Sequence, residues 1–244
     1  MTYRPVRAER ITITTTGSAG SATGSASTGA IVGEILGLAV DFDAAAPATT
    51  DITISVGGYN LWARSNSVAD AFVVPVLFGV DAANAALTSD VTPQHYCAAG
   101  RVTASLAQAD ALAAACVVVV FWNPLKAVRI RVTTTGAAGS ATGSASVQVE
   151  GEIVGIGVNC HASLPGTSDI TIEARDSGLD VWARANSAAD AFVAPRLFGV
   201  SVADAALSGN VTPECYALHD YVTVSIAQGD ALADAVVVDV FVRP

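Results

Sequence analysis

Lysine occurs once in this 244-residue chain, at Lys126, and charged residues of all kinds make up only 14%. Soluble domains ordinarily carry about 25%, so too little charge is available to cover a monomer's exterior. Weakly charged surface on that scale predicts that other subunits occupy much of it. Basic residues are outnumbered, 12 against 22 acidic, for a formal net charge of −10. That balance excludes a nucleic-acid-coating role, because neutralising phosphates requires a basic face. Long apolar runs are missing too. The longest, "CVVVVFW" and "AFVVPVLFGV", fall short of the roughly 18 residues a membrane helix needs. The opening "MTYRPVRAER" contains no apolar signal segment, so the expectation is a protein made in the cytoplasm with no membrane partner.

What the chain does have is a duplication. "PVRAERITITTTG" returns as "PLKAVRIRVTTTG" about 119 residues later, and "LWARSNSVADAFVVPVLFGV" returns as "VWARANSAADAFVAPRLFGV", identical at 15 of 20 positions. "TDITI" and "SDITI", "VTPQHY" and "VTPECY", "SLAQADALA" and "SIAQGDALA" match as well. A period this long means two copies of one domain, not a solenoid of short units. The organisation read from it is an N-terminal arm over 1–4, a first repeat over 5–123 and a second over 124–244.

The most conspicuous stretch, "TTTGSAGSATGSAS", resembles a flexible linker, yet it lies about ten residues inside each repeat. Ser21, Thr23, Ser25 and Ser27 alternate there with Ala22, Gly24 and Ala26. A period of two places hydroxyls on one face of a strand and nearly bare backbone on the other. With Gly17–Gly20 as a turn, the pattern predicts a hairpin to the preceding "ITITTT", against the alternative of a mobile loop. In "AIVGEILGLAVDF", Val32, Glu34, Leu36, Leu38, Val40 and Phe42 fall on one face, and Gly33, Gly37 and Ala39 on the other. In the second copy Val154, Ile156 and Val158 oppose Gly155 and Gly157. "RVTASLA" and "CVVVVFW" read as a hairpin around Gln108–Asp110, and "VADAA", Val202–Ala206, as a helical turn. Seven or eight short strands per repeat predict an all-β chain of two tandem antiparallel β-sandwich domains, jelly-roll-like and related by internal duplication.

Duplication also filters candidate chemistry, since a site inherited with the domain should occur in both copies. His95 aligns with Cys215, His161 with Asp43 and His219 with Ala99, so no histidine is matched. Cys97, Cys116 and Cys160 align with Ala217, Val236 and Phe42. Without a Ser/His/Asp grouping, an HExxH run or CxxC spacing, no catalytic, metal or cofactor residue is expected, and the cysteines read as buried free thiols. Asp41, Asp43 and Asp51 lack the DxDxDG pattern of a calcium loop and read as turn formers. "NVT" at Asn210 reads as a chance sequon.

Two features survive the filter. Trp62 with Arg64, and Trp182 with Arg184, occupy same-face positions in a strand. Each pair is either a core Trp with Arg over its edge or an aromatic and guanidinium platform for a partner protein or a sugar ring. Arg4 in the N-terminal arm, with Arg7 and Arg10, stands where the first repeat begins, and Lys126, Arg129 and Arg131 stand where the second does. They suit gripping an acidic neighbour, or alternatively protecting a sheet edge.

The succession "ITITTTG", a Ser/Thr/Ala strand, "GEILGLAVDF", "TDITI", a Trp strand, a Pro-led strand and "RVTASLAQADAL…VVVVF" resembles small β-sandwich virion proteins of tailed bacteriophages, of the capsid decoration or cement type. The resemblance spans nearly the whole chain, once per repeat; those proteins carry the domain once, whereas this chain carries it twice. It implies a non-enzymatic protein on the exterior of the virion. Its implied partners are the major capsid protein lattice and copies of itself, as a small homo-oligomer, a trimer ahead of a dimer. The alternative is a glycan- or receptor-binding module of a phage tail or adhesin. Charged side chains number 13 in the first repeat and 20 in the second, so the first is expected to sit deeper among neighbours.

Overall fold

The computed structural model describes residues 6–77, 94–196 and 215–243. Arg4, the turn expected at Val202–Ala206 and the sequon at Asn210 lie outside them. The described residues form sixteen strands and no helix. In chain order these are β1 (Arg7–Ile13), β2 (Ala22–Phe42), β3 (Asp51–Val56), β4 (Tyr59–Arg64), β5 (Ala71–Val73), β6 (Val76–Leu77), β7 (Gln94–His95), β8 (Cys97–Ala109) and β9 (Cys116–Pro124). They continue with β10 (Lys126–Val132), β11 (Ala141–Cys160), β12 (Asp169–Ala174), β13 (Leu179–Arg184), β14 (Ala191–Val193), β15 (Tyr216–Gly229) and β16 (Val236–Arg243). Two compact units result, Met1–Val76 with His95–Leu125, and Lys126–Pro244 with Leu77–Gln94.

Each unit contains one seven-stranded antiparallel sheet. The order is β1-β9-β2-β8-β3-β4 with β5 added to β2, and β10-β16-β11-β15-β12-β13 with β14 added to β11. The 21 residues of β2 serve both layers: Ala22–Glu34 pair with β8, and Gly33–Phe42 with β9. One apolar cluster fills the space between the layers, drawing Ile11 and Ile13 from β1, Leu38 and Val40 from β2, Ile52 and Ile54 from β3, and Val118 and Val120 from β9. Ile130, Val132, Ile156, Val158, Ile170, Ile172, Val238 and Val240 repeat it in the second unit. Burying each such side chain contributes about 1.5–3 kcal/mol before chain entropy is set against it. The chain is thus two jelly-roll-like β-sandwich units related by duplication.

Both expected hairpins are absent, for one reason. β9 lies between β1 and β2, and β2 lies between β8 and β9, so each connection crosses from one layer to the other. Near the Gly17–Gly20 turn only an isolated bridge, Thr16 to Thr23, joins the two arms. The bare face of the Ser/Thr strand makes this crossing feasible, since a Cβ on Gly24 would lie 2.1 Å from the Thr14 carbonyl oxygen. Gly143 approaches Thr133 in the same way, at 2.2 Å. The hydroxyl face points outward, where Ser27 meets Thr103 and Ser146 meets Thr223, each at 2.8 Å.

The single face expected for Val32 through Phe42 also needs correction. Ile31 and Ile35 enter the core, then Leu38, Val40 and Phe42 do, while Val32 is exposed. A register shift between Ile35 and Gly37 inserts one residue and reverses the parity. The shift between Ile153 and Gly155 repeats it, so Ile153, Ile156 and Val158 line the core together and Val154 does not.

Candidate interaction surfaces

The polar residues shared by the two units are engaged in holding the crossings. Asp51 accepts from the Asn66 amide at 2.9 Å and from Gln108 Nε2 at 2.8 Å. Both partners sit at positive φ, 52° and 53°, a region that non-glycine residues seldom occupy unless the surroundings hold them there. Asp169 does the same for Asn186 and Gln228, at 2.9 and 2.6 Å. Asp110 accepts from the Gly20 amide and Asp230 from the Gly139 amide, at 2.7 and 2.8 Å. The amides of Leu112 and Leu232 donate to the hydroxyls of Thr15 and Thr134, both at 3.1 Å. Asp43 accepts from the Ala45 amide at 2.8 Å, an Asx turn.

The Trp-Ala-Arg strands turn inward. Trp182 is fully buried and Trp62 half-buried. The Arg64 guanidinium lies 5.1 Å from the Trp62 ring centre and 5.7 Å from that of Phe42, and Arg184 lies 5.4 Å from Trp182. Arg64 donates to the Ala69 carbonyl and Arg184 to that of Ala189. Each Trp-Arg pair is therefore brought together, but against its own unit, which leaves Trp182 no open face.

Of the basic residues, Arg7 and Arg10 are exposed on β1, opposite Trp122 and Val119. The second repeat uses its arginines internally. Arg129 makes a bidentate pair with the buried Asp239 at 2.7 and 2.8 Å, and Arg131 pairs with Asp234 at 2.7 Å. The hydrogen bond to Asp239 raises the Arg129 pKa further, against a smaller opposing effect of burial. Lys126 is exposed.

All four cysteines are free thiols. Burial pushes Cys116 up to about 12. It pushes Cys160 up to about 11, with Arg184 opposing and Asp190 adding. Cys215 rises to about 12 through burial and its hydrogen bond with Glu152. Thiols held protonated at neutral pH are poor nucleophiles and poor metal ligands.

Sequence reasoning overlooked one feature, the stretch Phe72–Val76. Phe72 is 65% exposed, Val74 47% and Val76 42%. The signal was available in the second copy, where "FVVPV" becomes "FVAPR" and loses two valines, one to Ala and one to Arg.

No protein-family model matches the chain, and no curated protein matches it. Among solved structures it is similar to PBCV-1 VP54 fitted into a reconstruction of the virophage Sputnik, at 10% identity and a TM-score of 0.26, covering 99% of this chain and 94% of that one. The major capsid protein of bacteriophage PM2 gives 9% identity and a TM-score of 0.29, covering 96% of each chain. Tandem carbohydrate-binding modules of a glycoside hydrolase from Streptococcus pneumoniae give 10% and 0.26, covering 94% of this chain and 83% of that one. TM-scores this low specify no common topology.

Proposed function

We propose that the chain is a non-enzymatic structural protein of a bacteriophage virion, decorating the outside of the capsid through protein–protein contacts and acting as a small homo-oligomer. One observation carries this reading: the polar side chains retained in both repeats, Asp51, Asp110, Thr15, Arg64 and their counterparts, hold crossings and turns of the fold. A duplicated scaffold that devotes its shared polar groups to its own rigidity offers neighbours a shaped surface instead of a reaction centre. Binding only the assembled shell, it would add its binding free energy to shell stability by mass action. Such an interface needs area, a buried apolar centre and a polar rim.

Co-sedimentation with emptied phage shells tests the role. Saturable binding that raises the shell's melting temperature is expected, and absence of binding at any ratio would sink it. A glycan array settles the competing sugar-binding reading, which requires signal that disappears with Trp62→Ala; burial of Trp182 already weighs against it.

A further inference from the structure

Each unit presents an outer hydroxyl face, on the layer that β2 shares with β8, β3 and β4 in the first and β11 with β15, β12 and β13 in the second. One row across it is the same in both: Ser25, Ser105 and Thr53 in the first unit, Ser144, Ser225 and Thr171 in the second. A hydroxyl both donates and accepts, so two such rows can meet without stranding a polar group. Both faces are open in the chain. Val32 is 40% exposed and Tyr221 37%, and Ser25, Arg101, Ser144 and Asp180 are exposed with them.

Beyond the shared row the faces have diverged to opposite charge. The first continues with Ser55 opposite Asn60, Ala30 opposite Arg101 and Val32 opposite Ala99, so Arg101 is the single charge across these rows. The second has Glu173 opposite Asp180, Gln148 opposite Tyr221 and Glu150 opposite His219. Two carboxylates set directly across from one another cost stability unless a cation lies between them. Neither Glu173 nor Asp180 makes an ion pair among the described residues, and neither does Arg101. The cations of the second face already have carboxylates: Arg175, over the Tyr221 ring, pairs with Asp176 at 2.9 Å, and His219 faces Glu150 at 3.8 Å.

We propose that the hydroxyl face of one chain's first unit docks on the hydroxyl face of the second unit of another copy, with Arg101 entering between Glu173 and Asp180. The proposal rests on the contact role above and names its first partner. Local charge selects the occupant. First-to-second pairing sets a bare guanidinium against two bare carboxylates, whereas first-to-first sets Arg101 against Arg101 and second-to-second sets carboxylate against carboxylate. Every chain carries one face of each kind, so the contact can repeat until a ring closes.

Sedimentation velocity of the full chain, without shells and over a range of salt, reads the outcome. The wild type is expected to self-associate, more weakly as salt rises. Arg101→Glu alone, and Glu173→Lys together with Asp180→Lys, should each weaken association at least about tenfold, with an unchanged circular-dichroism spectrum. Combined in one chain, the three substitutions exchange the two charges and should restore association to within about threefold of the wild type. A wild-type monomer at about 100 μM, an oligomer indifferent to both charge reversals, or a combined variant no better than the weaker of its parents would overturn the proposal. Should a variant misfold, hydroxyl-radical labelling of wild-type Val32 and Tyr221 decides. Labelling of both that falls with rising concentration supports the contact, and labelling of either that stays constant overturns it. An oligomer that responds as expected while shells go unbound supports the contact and counts against capsid decoration alone.

Discussion

Between β3 and β4 the first unit turns in two residues, Gly57 and Gly58, at φ of 53° and 86°, as a tight hairpin of right-handed strands requires. The second unit takes four, Arg175 to Gly178, and anchors them from β15. Asp220 accepts hydrogen bonds from the amides of Asp176 and Ser177, both at 3.0 Å, from the Ser177 hydroxyl at 2.8 Å and from the Tyr221 amide at 2.6 Å. Arg175 lies 4.2 Å from the Tyr221 ring centre. In the first unit Gly100 and Arg101 occupy the positions of Asp220 and Tyr221. The reverse holds in β2, where a bulge between Ser27 and Ala30 is held by Glu9, which accepts from the Gly29 amide at 2.5 Å. β11 runs through the same region without a shift. Divergence has therefore accumulated in turns and on outer faces, where a new side chain meets few constraints. The core, and the caps of the layer crossings, have stayed alike because each is satisfied only by its existing geometry.

The largest expected contrast lies in the tryptophans. Trp182→Ala should cost about 3–5 kcal/mol, and Trp62→Ala less than half of that, because only the first empties a fully enclosed volume. Urea denaturation of the full-length variants measures both, and equal losses would remove the distinction. Arg129→Ala should follow at about 2–3 kcal/mol, below the value for a fully buried pair because Arg129 is half-exposed while Asp239 is not. Adding Asp239→Val, the residue found in the first unit, should recover most of that loss in a thermal melt, while Arg10→Ala stays within about 0.5 kcal/mol.

A smaller contrast comes from the glycines beneath the phenylalanines. Gly155→Ala drives a Cβ to 2.4 Å from a buried Phe192 ring that has nowhere to go, at a cost of about 1–3 kcal/mol. Gly37→Ala should cost less, since the exposed Phe72 ring can swing away. The smallest effect is acid-dependent and confined to the second unit. Burial acts to raise the Asp220 carboxyl, but the hydrogen bonds from Asp176, Ser177 and Tyr221 outweigh it and hold the group at about 2. A lowered carboxyl stabilises the fold above its unfolded value of about 3.9 and loses that contribution as pH falls toward 2. Protection of the Asp176, Ser177 and Tyr221 amides, taken relative to their intrinsic exchange at each pH, should therefore fall over that window, with no counterpart at Gly57–Gly58.

Alternation of residue types made the strands legible, and the duplication made the two-unit plan legible, but the Ser/Thr stretch and the aliphatic segment after it read as two strands and form one, Ala22–Phe42. Pairing was not legible, because a strand's own pattern identifies its inward face and says nothing about which strand lies beside it. Hence β1 and β2, and β8 and β9, looked like hairpins although each pair is separated by another strand. A one-residue shift such as that at Ile35–Gly37 is equally silent in a window of alternating Gly and aliphatic residues. The surface around Phe72 was hidden for a third reason. "DAFV" occurs unchanged in both repeats, yet its Phe is bare in one and enclosed in the other, so exposure there belongs to the surroundings and not to the letters.

The sheet order has a consequence for assembly of the fold. β9 enters last in its unit but occupies an interior place between β1 and β2, and β16 does likewise between β10 and β11. Until that final strand arrives, two unpaired edges face one another across a gap of about 9–10 Å, twice the strand spacing. During synthesis each half must wait for more than a hundred residues before it can close, which favours slow folding and leaves sticky edges open meanwhile. Since β9 and β16 are close relatives, the wrong one can reach an open gap first, and exchange between halves or between molecules becomes the characteristic folding error of this chain.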